Sequence, residues 1–303
     1  MSKPTTILGI SALYHDAAAA LLQDGRLVAA AQEERFSRVK HDPSLPVKAV
    51  KWCLAEAELG IGDVDWLVFY EKPLRKFERI LSTSVATFPR SWRAFPRYMQ
   101  AWLGDKLWTR NKLTEAFGIH ADRVLFSEHH LSHAASAFLC SPHRSAAILT
   151  VDGVGELATT GLWRGTDTAP FIEPVAEVRF PHSIGMLYSA MTAWLGFAVN
   201  EGEYKVMGLA AFGEPRFRAE IDKLLELSPE GGFSLNLDFF SYHWHPTESY
   251  TEALVDLLGK PRFPGTPFVF EGTPGATPEA IAETKRFADV AASLQQATED
   301  ALL

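Results

Sequence analysis

The sequence predicts an α/β protein built from two similar lobes. Three observations carry the prediction. Short apolar runs alternate with helix-length segments. The order strand, hairpin, strand, helix occurs twice, from Ile7 and again from Ala147. Turn residues, Asp-Gly above all, separate the runs. The first lobe is expected over residues 1–143, with a helical insertion at 71–117, and the second over 144–303.

Each element follows from its residues. ILGIS (Ile7 to Ser11) is an apolar strand. AAAALLQDGRLVAAAQEE is rich in alanine, a helix former. Asp24-Gly25 between two short apolar runs nevertheless marks a hairpin, so both runs are assigned as strands. Pro46 opens a helix over Val47 to Leu59, and Gly60 ends it. DWLVFY (Asp65 to Tyr70) and RVLFSE (Arg123 to Glu128) are further strands, and a histidine-bearing helix follows the second. SAAILTVDG, ATTGLWRG and EPVAEVRF give three strands joined by turns, then a helix from Gly185 to Leu195. Residues 228–278 are rich in Gly, Pro and aromatics and read as loops with brief strands. The chain ends inside a helical pattern at Leu303. With no cap following, and with strands lacking after the first three of the second lobe, that lobe is expected to be incomplete.

Of 303 residues, 47% are hydrophobic and 22% charged, as in an ordinary globular protein. The formal charge of −8 argues against nucleic acid as a partner. Charge is uneven. Glu71 to Lys112 holds ten Lys or Arg against three Asp or Glu, which leaves −15 for the rest. That segment interleaves basic and aromatic residues, a pattern of single-strand binders, but it equally suits a helical insertion with buried rings. No apolar run approaches the length of a membrane span and no signal peptide is evident, so a cytoplasmic protein is expected. Cys53 and Cys140 both lie in apolar, helix-like segments and are expected to be reduced core residues.

Five stretches carry chemistry. In SEHHLSHAASAF, His129 and His133 are four apart and share a helix face, with Ser127 expected as the N-cap. Such a pair suits one metal ion, or a polar surface helix. In TVDGVGE, a strand delivers Asp152 ahead of Gly153 and Gly155; this is a phosphate- or metal-holding turn, or a plain hairpin. His15-Asp16 follows the first strand, at the end where open sheets hold ligands. QEERFSRVKHD, with Glu33, Glu34, Lys40 and His41, is a charged site or a solvated turn. EGEYKVMG holds Glu201, Gly202, Lys205 and Gly208, glycines and a lysine that can surround a nucleotide or mark tight packing.

Together and in this order, these motifs make residues 6 to 215 resemble the carbamoyltransferase family of nodulation proteins and antibiotic-tailoring enzymes. The resemblance implies a two-lobed actin-like, hexokinase-like domain, related to the threonylcarbamoyl-adenosine tRNA-modifying protein. It implies that the second lobe is truncated here and that a C-terminal YrdC-like domain is missing. That missing domain would make carbamoyl adenylate from carbamoyl phosphate and ATP. The domain present would pass the carbamoyl group to a hydroxyl of a small-molecule acceptor, as in natural-product tailoring. The resemblance further implies divalent iron held by His129, His133, Asp152 and a fourth ligand past residue 303. His15 would stand near the acceptor hydroxyl and Lys40 near the nucleotide phosphate. Gly153 and Gly155 would lie by the phosphate, and Glu201, Gly202, Lys205 and Gly208 by the nucleoside. His130 would be a neighbour of the two ligand histidines or of the nucleotide. A non-catalytic nucleotide- and metal-binding fragment, a tRNA-modifying protein and a sugar-kinase-like protein are the alternatives. The paired histidines with Asp152 speak against the kinase.

Overall fold

The computed structural model describes residues 3–303, which divide into two compact units. One runs up to Arg79 and resumes over Tyr98–Cys140; the other is Ile80–Arg97 with Ser141–Leu303.

The first unit is a five-stranded sheet of order β3-β2-β1-β4-β5. β1 (Thr6–Ser11), β2 (Ala18–Gln23) and β3 (Arg26–Gln32) form an antiparallel meander. Asp24 (φ 47°) and Gly25 (φ 78°) both take positive φ, the geometry of a tight hairpin turn. This turn overrides alanine's helical preference. After α1 (Glu34–Ser37), helix α2 covers Val47–Glu56, ending earlier than the expected Leu59. Glu58, at φ 54°, already turns the chain out of the helix before Gly60. Cys53 on α2 is fully buried, with Leu8, Ala19 and Leu67 in the same core.

β4 (Trp66–Phe69) pairs parallel with β1. α3 (Pro73–Ala86), α4 (Phe95–Gly104) and α5 (Thr109–Phe117) make residues 71–117 helical, as the sequence predicts. β5 (Val124–Phe126) pairs parallel with β4. α6 (His129–Phe138) follows. β1, β4 and β5 thus run the same way, and their C-terminal ends share one edge of the sheet, where loops gather over open backbone. Cys140, just past α6, is exposed rather than in the core.

In the second unit β6 (Ser145–Val151), β7 (Ala158–Thr166) and β8 (Ile172–Arg179) form an antiparallel sheet of order β6-β7-β8. α7 (Ile184–Trp194) and α8 (Glu203–Ala210) come next, followed by α9 (Arg218–Ile221). Residues 228–278 hold brief structure, as expected: β9 (Leu225–Leu227) leads in and pairs with β10 (Phe233–Leu235). They also contain a short helix the sequence did not suggest, α10 (Glu252–Leu258). α11 (Pro278–Leu302) closes the chain. Its buried stripe, Phe287, Val290, Ala291 and Leu294, packs with Leu187, Met191 and Trp194 of α7 in one core. Among the described residues no helix is long and apolar enough to cross a membrane.

Candidate functional site

The first unit gathers the predicted site residues along the C-terminal edge of β1, β4 and β5. Backbone bonds carry the ladder past the strand ends. Tyr70 N–H donates to Ile10 O at 3.3 Å, and Ser127 N–H donates to Phe69 O at 2.9 Å. That second bond keeps Ser127 extended, so Glu128, not Ser127, is the N-cap of α6. The Glu128 carboxylate makes no cap bond. It takes Lys72 Nζ at 3.1 Å and Arg75 Nη1 at 2.8 Å instead. Ser132 Oγ donates to Tyr70 O at 3.0 Å and fixes α6 to the end of β4.

On α6 the one-turn spacing brings His129 and His133 together, with their Nε2 atoms 3.0 Å apart. Two nitrogens that each sit about 2.1 Å from one metal ion, at ordinary ligand angles, are about 3.0–3.4 Å apart. The pair therefore fits adjacent ligands of a single ion. His129 Nδ1 faces Glu71 Oε2 at 3.9 Å, and Lys76 Nζ holds that same oxygen at 2.7 Å. A carboxylate behind a ligand imidazole is the usual orienting partner in metal sites. His130 is buried at 3% exposure and meets both other imidazoles edge-on, which places it behind the pair.

At the end of β1, His15 Nδ1 lies 2.8 Å from Asp16 Oδ2, and His41 Nδ1 lies 2.9 Å from Asp16 Oδ1. The bond from His41 holds the Asp16 carboxyl below its ordinary value; burial opposes this and the bond from His15 adds to it. The Tyr14 ring lies 4.4 Å from that of His15, tilted by 46°, and receives Lys76 over its face at 5.7 Å. A run of contacts thus joins His15, Tyr14, Lys76, Glu71 and His129. Lys40 is exposed on the neighbouring segment. Glu33, in the same charged stretch, proves to be buried. Its carboxylate accepts Ala49 N–H at 2.8 Å and Lys48 N–H at 3.2 Å, satisfying the open amides at the start of α2, whose N-cap Pro46 has no side chain to offer.

In the second unit Asp152 directly follows β6. Its Oδ1 accepts Gly153 N–H at 2.6 Å. Gly155 N–H donates to Ala158 O at 2.9 Å. Both glycine amides are thus committed within the turn, which makes this a built hairpin more than an open anion cradle. Ser183 caps α7, accepting Met186 N–H at 3.0 Å, and donates its own proton to Gly153 O at 2.7 Å. A Cβ on Gly185 would come within 2.7 Å of Asp152 O and 2.8 Å of Gly153 N, so α7 packs its backbone directly on this turn. Gly202 is a packing glycine as well, since a Cβ there would meet Ala198 O at 2.6 Å. Glu201, Tyr204, Lys205 and Gly208 are exposed on and beside α8, and nothing crowds Gly208. A recess of about 980 Å³ runs along β6–β8 to Leu303, and none of these residues lines it.

Sequence reasoning missed Glu71 and Tyr14, and it placed Asp16 at the site without giving it a role of its own. Asp16 stood beside His15 in the quoted motif; Glu71 carried no local signal.

Comparison with known proteins gives these positions a family. The model of the carbamoyltransferase N-terminus matches residues 6–303. The chain is 48% identical to the uncharacterized protein sll1178 of Synechocystis, over 99% of this chain and 47% of that protein. It is 35% identical to the nodulation protein NolNO of Sinorhizobium fredii, over 74% of this chain and 32% of that one. The chain thus spans about half the length of the first of these relatives and about a third of the second. Among solved structures it is similar to YeaZ from Pseudomonas aeruginosa, at 17% identity and a TM-score of 0.32, over 58% of this chain and 68% of that one. The chain belongs to the carbamoyltransferase family, matched over that family's N-terminal region.

Proposed function

We propose that this chain is the transfer domain of an O-carbamoyltransferase of the two-lobed actin-like group. It would move a carbamoyl group from carbamoyl adenylate to a hydroxyl of a small-molecule acceptor. What carries this reading is the pairing of the family match with the sheet edge, where His15 at the end of β1 shares a side with the His129–His133 pair at the end of β5.

In the proposed reaction the acceptor oxygen bonds to the carbamoyl carbon. The bond from that carbon to the phosphate oxygen breaks, and its electron pair leaves with AMP. The acceptor proton passes to His15 Nε2, which then releases it to water. Lys40 would face the adenylate phosphate, and Glu201, Lys205 and Gly208 the nucleoside. His129, His133 and Asp152 would hold a divalent ion, iron by the family's precedent. When bound, that ion acts as a Lewis acid on the phosphate oxygens. Glu71 and His130 set the two imidazoles in place, and Ser183 and Gly185 set the turn that carries Asp152.

The test supplies carbamoyl adenylate directly to the full-length protein, with candidate hydroxyl acceptors: aminoglycosides, cephems and lipochito-oligosaccharides. Carbamate ester should form in step with AMP. Release of AMP without ester, unchanged by any acceptor, would overturn transfer and favour a nucleotide-binding role.

A further inference from the structure

Asp16 joins two histidines from separate segments. Its two oxygens are used differently: Oδ2 meets His15 Nδ1 at 2.8 Å and Oδ1 meets His41 Nδ1 at 2.9 Å. An ionised carboxylate only accepts, so each Nδ1 carries the proton. Each Nε2 is then left with its lone pair. Free neutral imidazole prefers the opposite arrangement, so the carboxylate selects the tautomer.

The backbone is built to hold this arrangement. Asp16 (φ 51°) and His41 (φ 56°) both lie in the left-handed region, as do Leu13 (φ 72°) and Arg38 (φ 61°) nearby. Such conformations persist where the surroundings fix them. Leu13 N–H donates to Pro43 O and Ala17 N–H to Asp42 O, both at 2.9 Å, which laces the two segments together on either side of the pair. Glu34 Oε2 accepts His41 N–H at 3.1 Å. Asp16, Glu34 and His41 also have ligand-type atoms within 4.8 Å of one another. A cation there would compete with the two imidazole bonds, because His41 Nδ1 and both Asp16 oxygens are already engaged in them.

We propose that Asp16 is a positioning residue of the transfer reaction. It orients His15 and fixes its proton on Nδ1, leaving Nε2 to accept the acceptor's proton, while His41 occupies the second oxygen and stops the carboxylate from turning away. This rests on the reading of His15 as the base. The step adds no co-reactant: the proton moves from the acceptor hydroxyl to His15 Nε2 as the carbamoyl bond changes hands.

Asp16→Asn tests it. Asn is the residue that best replaces Asp in a left-handed conformation, so the backbone is retained. Its amide offers one acceptor and one donor, so it can satisfy only one Nδ1–H. Histidine ¹⁵N spectra of the full-length protein, recorded where the imidazoles are neutral, read the tautomers without any turnover. His15→Gln and His41→Gln variants assign the signals. In the wild type both imidazoles should be protonated on Nδ1. In Asp16→Asn one should switch to Nε2–H, and in Asp16→Ala both. With carbamoyl adenylate and acceptor supplied, Asp16→Asn should lower kcat about 10–100-fold, the usual weight of an orienting partner, with acceptor KM little changed. Asp16→Glu should recover part of the loss. Wild-type imidazoles protonated on Nε2, or an unchanged kcat in Asp16→Asn, would overturn the proposal. A wild type that makes no ester with any acceptor would overturn the transfer reading instead, and the spectra would still decide whether Asp16 sets the two tautomers.

Discussion

His133 is the most direct handle on the proposed metal centre, because it lies on the exposed side of α6. His129 is less suited to that role, since it also meets Tyr70 and Glu71. Outer partners of metal ligands alone are worth about 10–100-fold in affinity, so a lost ligand should exceed that. His133→Ala should therefore weaken ferrous-ion binding by about 100-fold or more while leaving the urea midpoint unchanged. Anaerobic competition with a coloured chelator reads the affinity. Binding equal to wild type would place the metal elsewhere. At this scale the sequence was readable wherever the partners were close in the chain. The i, i+4 pair on α6 could be seen in the letters, because one helical turn fixes the distance. The doubled bond of Asp16 could not, because His41 lies 25 residues away. Neither could the burial of Glu33, whose partners are amides 15 and 16 residues further on.

Element boundaries shift for equally local reasons. The hairpin of β2 and β3 was legible because Asp-Gly answers a demand for positive φ at two successive positions. The N-cap of α6 lies one residue past Ser127 because the ladder bond from Ser127 to Phe69 outweighs Ser127's capping preference. α10 is not legible in the sequence because seven residues between loops carry too little periodicity. One element contact bears on the proposed metal centre: the start of α7 presses on the turn that holds Asp152. Gly185→Ala would put a methyl against Asp152 O at 2.7 Å, a backbone neighbour that cannot rotate away. Overpacking of this kind costs about 1–3 kcal/mol. The variant should lose that much in urea unfolding, and its metal affinity should fall as the turn moves. Gly208→Ala in α8 is the matched comparison, because open space surrounds that position. It should gain up to about 1 kcal/mol from helix propensity. Equal effects from the two substitutions would show that the packing on the Asp152 turn is not under strain.

At the scale of the whole molecule, acidity and stability are coupled through groups that titrate away from their ordinary range in the fold. The chain carries −8 at pH 7, so mild acid first relieves self-repulsion. His243 works against that relief. Burial, with Arg90 and His182 nearby, pushes its imidazole from the ordinary 6.5 down to about 4. The folded chain therefore keeps it neutral in a range where the unfolded chain binds its proton. Between pH 6.5 and about 4 the unfolded state holds one proton more at this site, so stability falls as the pH falls. Below about 4 both states are protonated and the loss stops growing. Asp16, Asp42 and Asp65 act in a separate window. Their carboxyls are held below the ordinary 3.8 by hydrogen bonds, so the stability they contribute is present above 3.8 and is lost only as the pH drops through their lower folded values. The two windows can be told apart by thermal melts. Wild type should lose melting temperature between pH 7 and pH 5, before any of these aspartates takes up a proton. His243→Gln, which has no charge to gain, should lose less over the same interval and then follow the wild type's further decline below pH 3.8. Parallel curves for the two proteins from pH 7 to pH 5 would mean that His243 is protonated in the fold and that its burial does not govern the acid side of the stability profile.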